Sequence, residues 1–325
     1  MLPLNKISIT IISVIGIGLL LGTLYLFDKR NIQKVGILLE GTTNDQSWDR
    51  RGYEGLLTIG EDFDADIYIK ENVQSEEEIV NAVKNLAEKE ARIIFGHSYT
   101  YGRYFADLAD QYPNTHFVYF NGGYTADNVT SLNFDSHAMG FFGGMVAGKM
   151  TETNEIGIIA AYEWQPEVEG FYEGVKYQNP DATVHINFVN DWNAREVALN
   201  IYGIMKNNDV DVFYPTGDSF ANDIVRHADQ DGRYVIGYVP DKIDVDERTV
   251  LTSTIQHVDK LYVLAAELYQ KNKLTSGIMT FDFADGAISL GDFSPDVPDD
   301  YTQYIMDLID EYIETGLLPN EKYKD

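Results

Sequence analysis

The chain has 325 residues, 44% hydrophobic and 23% charged, with 22 Tyr and 16 Phe; that is apolar mass for about two domains of ~150 residues each, and it excludes long disorder. Its net charge of −28, from 24 Lys+Arg against 52 Asp+Glu, is unbroken by any basic stripe, which excludes nucleic acid as a partner of the folded body because that binding neutralises phosphates. The absence of cysteine excludes disulfides, thiolate metal sites, a Cys nucleophile and a Cys-linked lipid anchor.

In chain order the first element is an apolar run, Ile7 to Phe27, of 21 uncharged residues. At about 1.5 Å per residue it spans a ~30 Å hydrocarbon layer as one helix. The run ends in Tyr25-Leu26-Phe27 followed by Asp28-Lys29-Arg30, with no small-residue cleavage pattern, so it predicts a retained N-terminal membrane anchor rather than a removed signal. Lys6 on one side and Lys29, Arg30 and Lys34 on the other leave the positive-inside rule nearly balanced, tilted toward a cytoplasmic body.

Beyond Gln33 short β-rich runs alternate with longer amphipathic stretches, the pattern of βαβ units. Lys34–Leu39 is the first predicted strand, followed by a helix from about Ser47. Asp66–Lys70 is the second, followed by a helix opened by the capping box Ser75-Glu76-Glu77-Glu78; its apolar positions Ile79, Ala82, Val83, Leu86 and Ala87 lie on one helical face. Arg92–Phe95, His116–Phe120 and Asn128–Phe134 complete a first series of strands. Met139 to Met150 carries Gly140, Gly144 and Gly148 at a spacing of four; it is too short to span a membrane and predicts a helix packed closely on a sheet through its glycines. A second series follows: strands Glu155–Ala160, Thr183–Phe188, Val210–Tyr214 and Tyr234–Tyr238, separated by helices Pro166–Tyr177, Asn193–Lys206 and Ser219–Asp229. Val250–Ile255 reads as a strand crossing back between two lobes. A helix from Val258 to Gln270, a strand near Ala287 to Leu290 and a helix from about Asp299 end the chain.

In open α/β sheets ligands collect at the carboxyl ends of the strands. Glu40, Asn44, His97, Asn121, Trp164, Trp192 and Asp218 fall there or in the following loops, and are the candidate ligand-binding residues. Four of them have a plainer role as competitor: core or hinge packing for the two indoles, a hydrogen-bonded loop for His97, a helix cap for Asp218. No nucleophile elbow, zinc-binding helix motif, Walker loop or dinucleotide fingerprint occurs at a strand–helix junction, and the six histidines are scattered. The sequence therefore points to a binding protein with no catalytic residues, no metal ligands and no cofactor.

An ordered set of segments carries a family resemblance. Val35-Gly36-Ile37, Asp45-Gln46-Ser47-Trp48-Asp49, Gly52-Tyr53-Glu54-Gly55, Asn128-Val129, Gly140-Phe141-Phe142-Gly143-Gly144, Asn179-Pro180, Asp211-Val212, Ile236-Gly237 and Leu251-Thr252-Ser253 resemble the basic membrane protein family of PnrA-like substrate-binding proteins. Trp164-Gln165-Pro166-Glu167-Val168 and Tyr214-Pro215-Thr216-Gly217-Asp218 are similar to its Med subgroup, named for competence regulation in bacilli. The resemblance implies a two-lobed type I periplasmic-binding-protein fold, two Rossmann-like parallel-sheet lobes behind the N-terminal transmembrane helix. The implied division is 1–30 anchor, 31–134 with about 256–284 as one lobe, and 135–255 with about 285–325 as the other. It also implies a body outside the cell membrane that binds a small, nucleoside-like ligand, closes on it by a hinge, and feeds an ABC permease. The alternative is a Med-like positive regulator of competence acting at the membrane through partners.

The family's purine contacts fall on altered positions. Trp48 takes the place of the stacking aromatic. The adjacent amide is Asp49, which accepts but cannot donate when ionised. The ribose-binding carboxylate falls on Val239, with Asp241 as a nearby substitute, and the family lysine falls on Gln256.

Overall fold

A computed structural model describes residues 32–44, 48–238 and 245–322. The apolar run 7–27, Val239 and Asp241 lie outside the described residues. Those residues divide into two compact units, one of 32–44, 49–131 and 261–278, the other of 48, 132–238, 245–260 and 279–322.

The first unit grows from β1 (Lys34–Leu38), whose Val35 to Leu38 are buried on both faces. A strand so enclosed reads as continuous apolar sequence. β1 pairs in parallel with β2 (Asp66–Lys70) and with β3 (Ile93–Gly96), and β3 pairs in parallel with β4 (His116–Phe120). With β5 (Val129–Phe134) and β11 (Gly277–Phe281) the sheet order is β11-β5-β4-β3-β1-β2. The order reverses between β1 and β3, so a crevice opens at their carboxyl ends. Helices α1 (Trp48–Phe63), α2 (Glu76–Glu88) and α3 (Tyr101–Leu108) connect the strands. α2 starts where the sequence puts its capping box: Glu78 N donates to Ser75 Oγ and Ser75 N donates to Glu78 Oε2. Its apolar stripe, Ile79, Val83 and Leu86, joins Tyr101, Phe105 and Phe117 in the core.

The second unit repeats the plan. α4 (Ser136–Met150) leads into β6 (Glu155–Ala160), α5 (Pro166–Gln178), β7 (Thr183–Phe188), α6 (Arg195–Lys206), β8 (Val212–Thr216), α7 (Ser219–Asp231), β9 (Tyr234–Tyr238) and β10 (Val250–Gln256). The sheet order is β12-β10-β9-β8-β6-β7, with β12 (Ile288–Leu290) antiparallel to β10 and the pairs β6–β7, β6–β8, β8–β9 and β9–β10 parallel. The order reverses at β6 and β8. α8 (Val258–Gln270) and α9 (Asp299–Thr315) complete the described elements.

Three sequence readings are corrected. Val250–Gln256 is a strand of the second sheet throughout, and the chain passes to the first unit at Lys260/Leu261, inside α8. Gly140, Gly144 and Gly148 face a helix, not a sheet: a Cβ on Gly140 or Gly144 would run into the backbone of Glu167 or Phe171 in α5, and one on Gly148 would press on Val175. α3 and β11 have no counterpart in the sequence pattern. Among the described residues no helix is long and apolar enough to cross a membrane.

Candidate functional site

At the carboxyl edge of the first sheet the sequence places Glu40, Asn44, Asp49, His97 and Asn121. Asp49, buried in the first turn of α1, accepts a hydrogen bond from Gly41 N at 2.6 Å and so ties the loop after β1 to the helix. The carbonyl of Glu40 is held by Gln74 Nε2 at 2.8 Å, and Thr43 is held through both its N–H and its hydroxyl by Glu71. Trp48 is half-buried at the start of α1, and Asn44 is exposed. Asn121 is exposed in a left-handed conformation, φ 54°, which Asn tolerates better than most side chains.

His97 occupies a different kind of place. Its ring is fully buried and its Nδ1 shares a 2.8 Å hydrogen bond with the hydroxyl of Tyr262 from α8. Tyr262 stacks on Phe95 at 4.3 Å and on Phe120 at 5.2 Å; burial drives its phenol well above the ordinary range. α1 closes over this group by means of two glycines. A Cβ on Gly52 would meet the His97 ring at 2.5 Å and one on Gly55 would meet Tyr262 at 2.7 Å. The Gly52-Tyr53-Glu54-Gly55 segment is therefore a close-approach surface, and His97 with Tyr262 fixes the helix that presents Trp48 and Asp49.

The carboxyl edge of the second sheet holds the remaining candidates. Trp164 stacks on Tyr162 with ring centroids 5.3 Å apart and planes 17° from parallel; Trp192 stands edge-on to both, at 5.4 and 5.8 Å. Asp218 N donates to the carbonyl of Trp192 at 3.0 Å, joining the loop after β8 to that after β7. Asp218 stands at the N-cap position of α7 but its side chain makes no capping bond. Gln256, at the end of β10, is buried and donates to Ser136 Oγ at 2.9 Å. Asp241 lies outside the described residues.

Beneath the aromatic group lies a polar network that sequence reasoning missed. Gln165 Oε1 accepts from Tyr162 N, while its Nε2 donates to Glu167 Oε1 and to the Thr216 carbonyl. Tyr238 Oη donates to the same Glu167 oxygen at 2.8 Å. Burial raises the Glu167 carboxyl pKa, against the opposing pull of its hydrogen bonds, and raises the phenols of Tyr214 and Tyr238 well above their usual range. No residue-type signal marks Glu167. A glutamate in a first helical turn behind a proline reads as a solvated dipole partner, and only the close packing of α4 on α5 encloses it.

The family model of PnrA-like ABC transporter substrate-binding proteins (Bmp) matches residues 32–322. The chain belongs to the PnrA-like basic membrane protein family. Among family relatives, the transcriptional activator protein med of Bacillus subtilis is 43% identical over 90% of this chain and 93% of its own length. A purine-binding protein of Brucella abortus is 24% identical, over 82% of this chain and 77% of its own length. A crystal structure described as a transcriptional activator of the comK gene from Bacillus halodurans superposes with a TM-score of 0.82 at 44% identity, covering 88% of this chain and 99% of that one. The match to an ABC transporter solute-binding protein from Conexibacter woesei, TM-score 0.70 at 18% identity over 89% of this chain and 99% of that one, shows a shared fold. The family resemblance and the two-sheet, parallel-rich substrate-binding fold expected from the sequence are thus established.

Proposed function

We propose that the chain is a membrane-anchored receptor, its body outside the cytoplasmic membrane, that binds a small molecule and passes the bound state to a regulatory partner. The observation that carries this reading is the engagement of Asp49 and Gln256. These positions, which the resemblance links to nucleoside contacts, make internal hydrogen bonds, Asp49 to Gly41 N at 2.6 Å and Gln256 to Ser136 Oγ at 2.9 Å. A ligand would have to replace bonds already made, and a buried polar group that loses its partner costs ~1–3 kcal/mol. The 43% identity to a protein named a transcriptional activator supports a regulatory output, and the charge of −28 directs that output through partners rather than DNA. We read this as a positive regulator of competence.

The second reading, delivery of a nucleoside-like ligand to an ABC permease, rests on the substrate-binding family and on the relative named for purine binding. Calorimetry of the full chain with adenosine and guanosine separates the two. Weak or absent binding is expected, with Asp49→Asn, Val239→Asp and Gln256→Lys together raising affinity about tenfold, the effect of ~1.4 kcal/mol. Tight nucleoside binding by the wild type, with lost nucleoside uptake in a deletion strain, would favour import.

A further inference from the structure

The amino edge of the first sheet carries a hollow that the reading above does not use. Gln33, Arg92 and Thr115 immediately precede β1, β3 and β4, and all three line it. These strands are parallel, so the hollow lies at the opposite edge from the one where such sheets gather ligands. Its volume is about 730 Å³, within the ~300–1,000 Å³ of small-molecule sites. The floor is buried and held in place: His116 Nε2 shares a 2.8 Å hydrogen bond with Thr130 Oγ1, and its ring stands edge-on to Tyr269. Asn128 Nδ2 donates to the carbonyls of Ala109, Tyr112 and Thr115 at 3.3, 3.1 and 2.7 Å, which pins the wall between α3 and β4.

The rim carries charge of both signs. Arg92 is exposed, and among the described residues its guanidinium makes one long hydrogen bond, 3.5 Å to the Asn114 carbonyl, and no ion pair. The carboxylates of Asp110 and Asp127, also exposed on this rim, enter neither a hydrogen bond nor an ion pair among the described residues. With 52 acids against 24 bases in the chain, a guanidinium finds a partner easily. One left open beside two open carboxylates fits a ligand that supplies both counter-charges. A guanidinium grips phosphate through paired N–H donors. Carboxylates accept hydrogen bonds from a primary ammonium, which a quaternary one, having no N–H, cannot give. Location selects the source of such a zwitterion. The predicted anchor ends at Phe27, six residues before Gln33, so the hollow lies within about 20 Å of chain from the bilayer. The charge of −28 disfavours an anionic head group. We propose that this hollow seats a phosphoethanolamine lipid head group, its phosphate on Arg92 and its ammonium on Asp110 and Asp127. The inference rests on the membrane-anchored reading above and adds a lipid contact to it.

Full-length protein in detergent micelles is titrated calorimetrically with glycerophosphoethanolamine, and with glycerophosphocholine as the control. Saturable heat is expected from the first, and binding about tenfold weaker from the second. Arg92→Gln should weaken the first about tenfold, the loss of one charge-assisted hydrogen bond. Asp110→Asn together with Asp127→Asn should erase the preference between the two head groups, with circular dichroism unchanged in every variant. The same protein in phosphatidylcholine nanodiscs should melt higher when phosphatidylethanolamine is included, and Arg92→Gln should lose that gain. No saturation in a folded protein, or equal binding of the two soluble head groups, overturns the proposal. Saturation in micelles without a gain in nanodiscs assigns the hollow to a soluble phosphoamine and overturns the lipid. Release of the chain from membranes by alkaline carbonate removes the anchored reading, and the lipid with it. Retention of the chain with no head-group response removes the lipid alone.

Discussion

Glu167 keeps its carboxyl in the interior of the second unit with two hydrogen-bond donors, Tyr238 Oη and Gln165 Nε2, on one oxygen. Its pKa is raised, first by burial, so the folded state holds the proton more tightly than the unfolded chain does. The stabilisation is complete below the ordinary value of 4.5 and is lost as pH climbs through the raised folded value. Glu167→Gln keeps the acceptor oxygen and removes the ionisation. Its melting temperature should therefore gain on the wild type as pH rises above 4.5, which a series of thermal melts would reveal. A constant offset at all pH values would show that the carboxyl does not ionise in this range. A second expectation concerns the loop after β1. Asp49→Ala strips Gly41 N of its charged acceptor and should cost ~1.5–3 kcal/mol in denaturant unfolding.

At the scale of elements, α4 and α5 meet backbone to backbone. A Cβ at Gly140, Gly144, Gly170 or Gly174 would collide with a carbonyl of the facing helix, and carbonyls, unlike flexible side chains, cannot step aside. Gly174→Ala should destabilise by at least ~1–3 kcal/mol. Gly203→Ala in α6, where nothing lies within 4 Å of the added carbon, should stabilise by ~0.5–1 kcal/mol. Urea melts of the two variants check the contrast. The same helix pair shows what was legible. Four-residue glycine spacing announces close approach, but not whether the neighbour is a sheet or a helix, because α4 is buried nearly all round and has no polar face to orient it. β1 and β6, enclosed on both faces, are legible as continuous apolar runs. β11 is not: it begins at a glycine with φ 111° and has an alternating, half-exposed pattern. At the candidate site the strand ends were readable, so Trp164, Trp192 and Asp218 could be named. Gln165 and Glu167 appeared only as part of a family segment, Tyr238 only as a strand end and Tyr162 not at all, since what makes the four notable is that they bond to one another, and that depends on contacts such as Glu167 with Tyr238, far apart in sequence.

For the molecule as a whole the dominant quantity is the charge of −28. Self-repulsion of that size opposes the compact state, and salt screens it with a Debye length that falls from ~30 Å at 0.01 M to ~8 Å at 0.15 M. The melting temperature should therefore rise with sodium chloride over that range; a flat response would mean that the ion pairs already balance the field. The division into discontinuous units has a separate bearing, on the order in which the protein can be made. The first unit lacks residues 261–278 until late in translation, and among them is Tyr262, the ring that stacks on Phe95 and Phe120 and bonds His97. A nascent chain that has reached Lys260 has all of β1 to β5 but a gap where that ring belongs, and the bare edge of β5 where β11 will pair. Such an edge is sticky, and the long-range closure it awaits is slow. Neither unit is complete until the last fifth of the chain has been made, so the order of synthesis leaves both open until the polypeptide is almost finished.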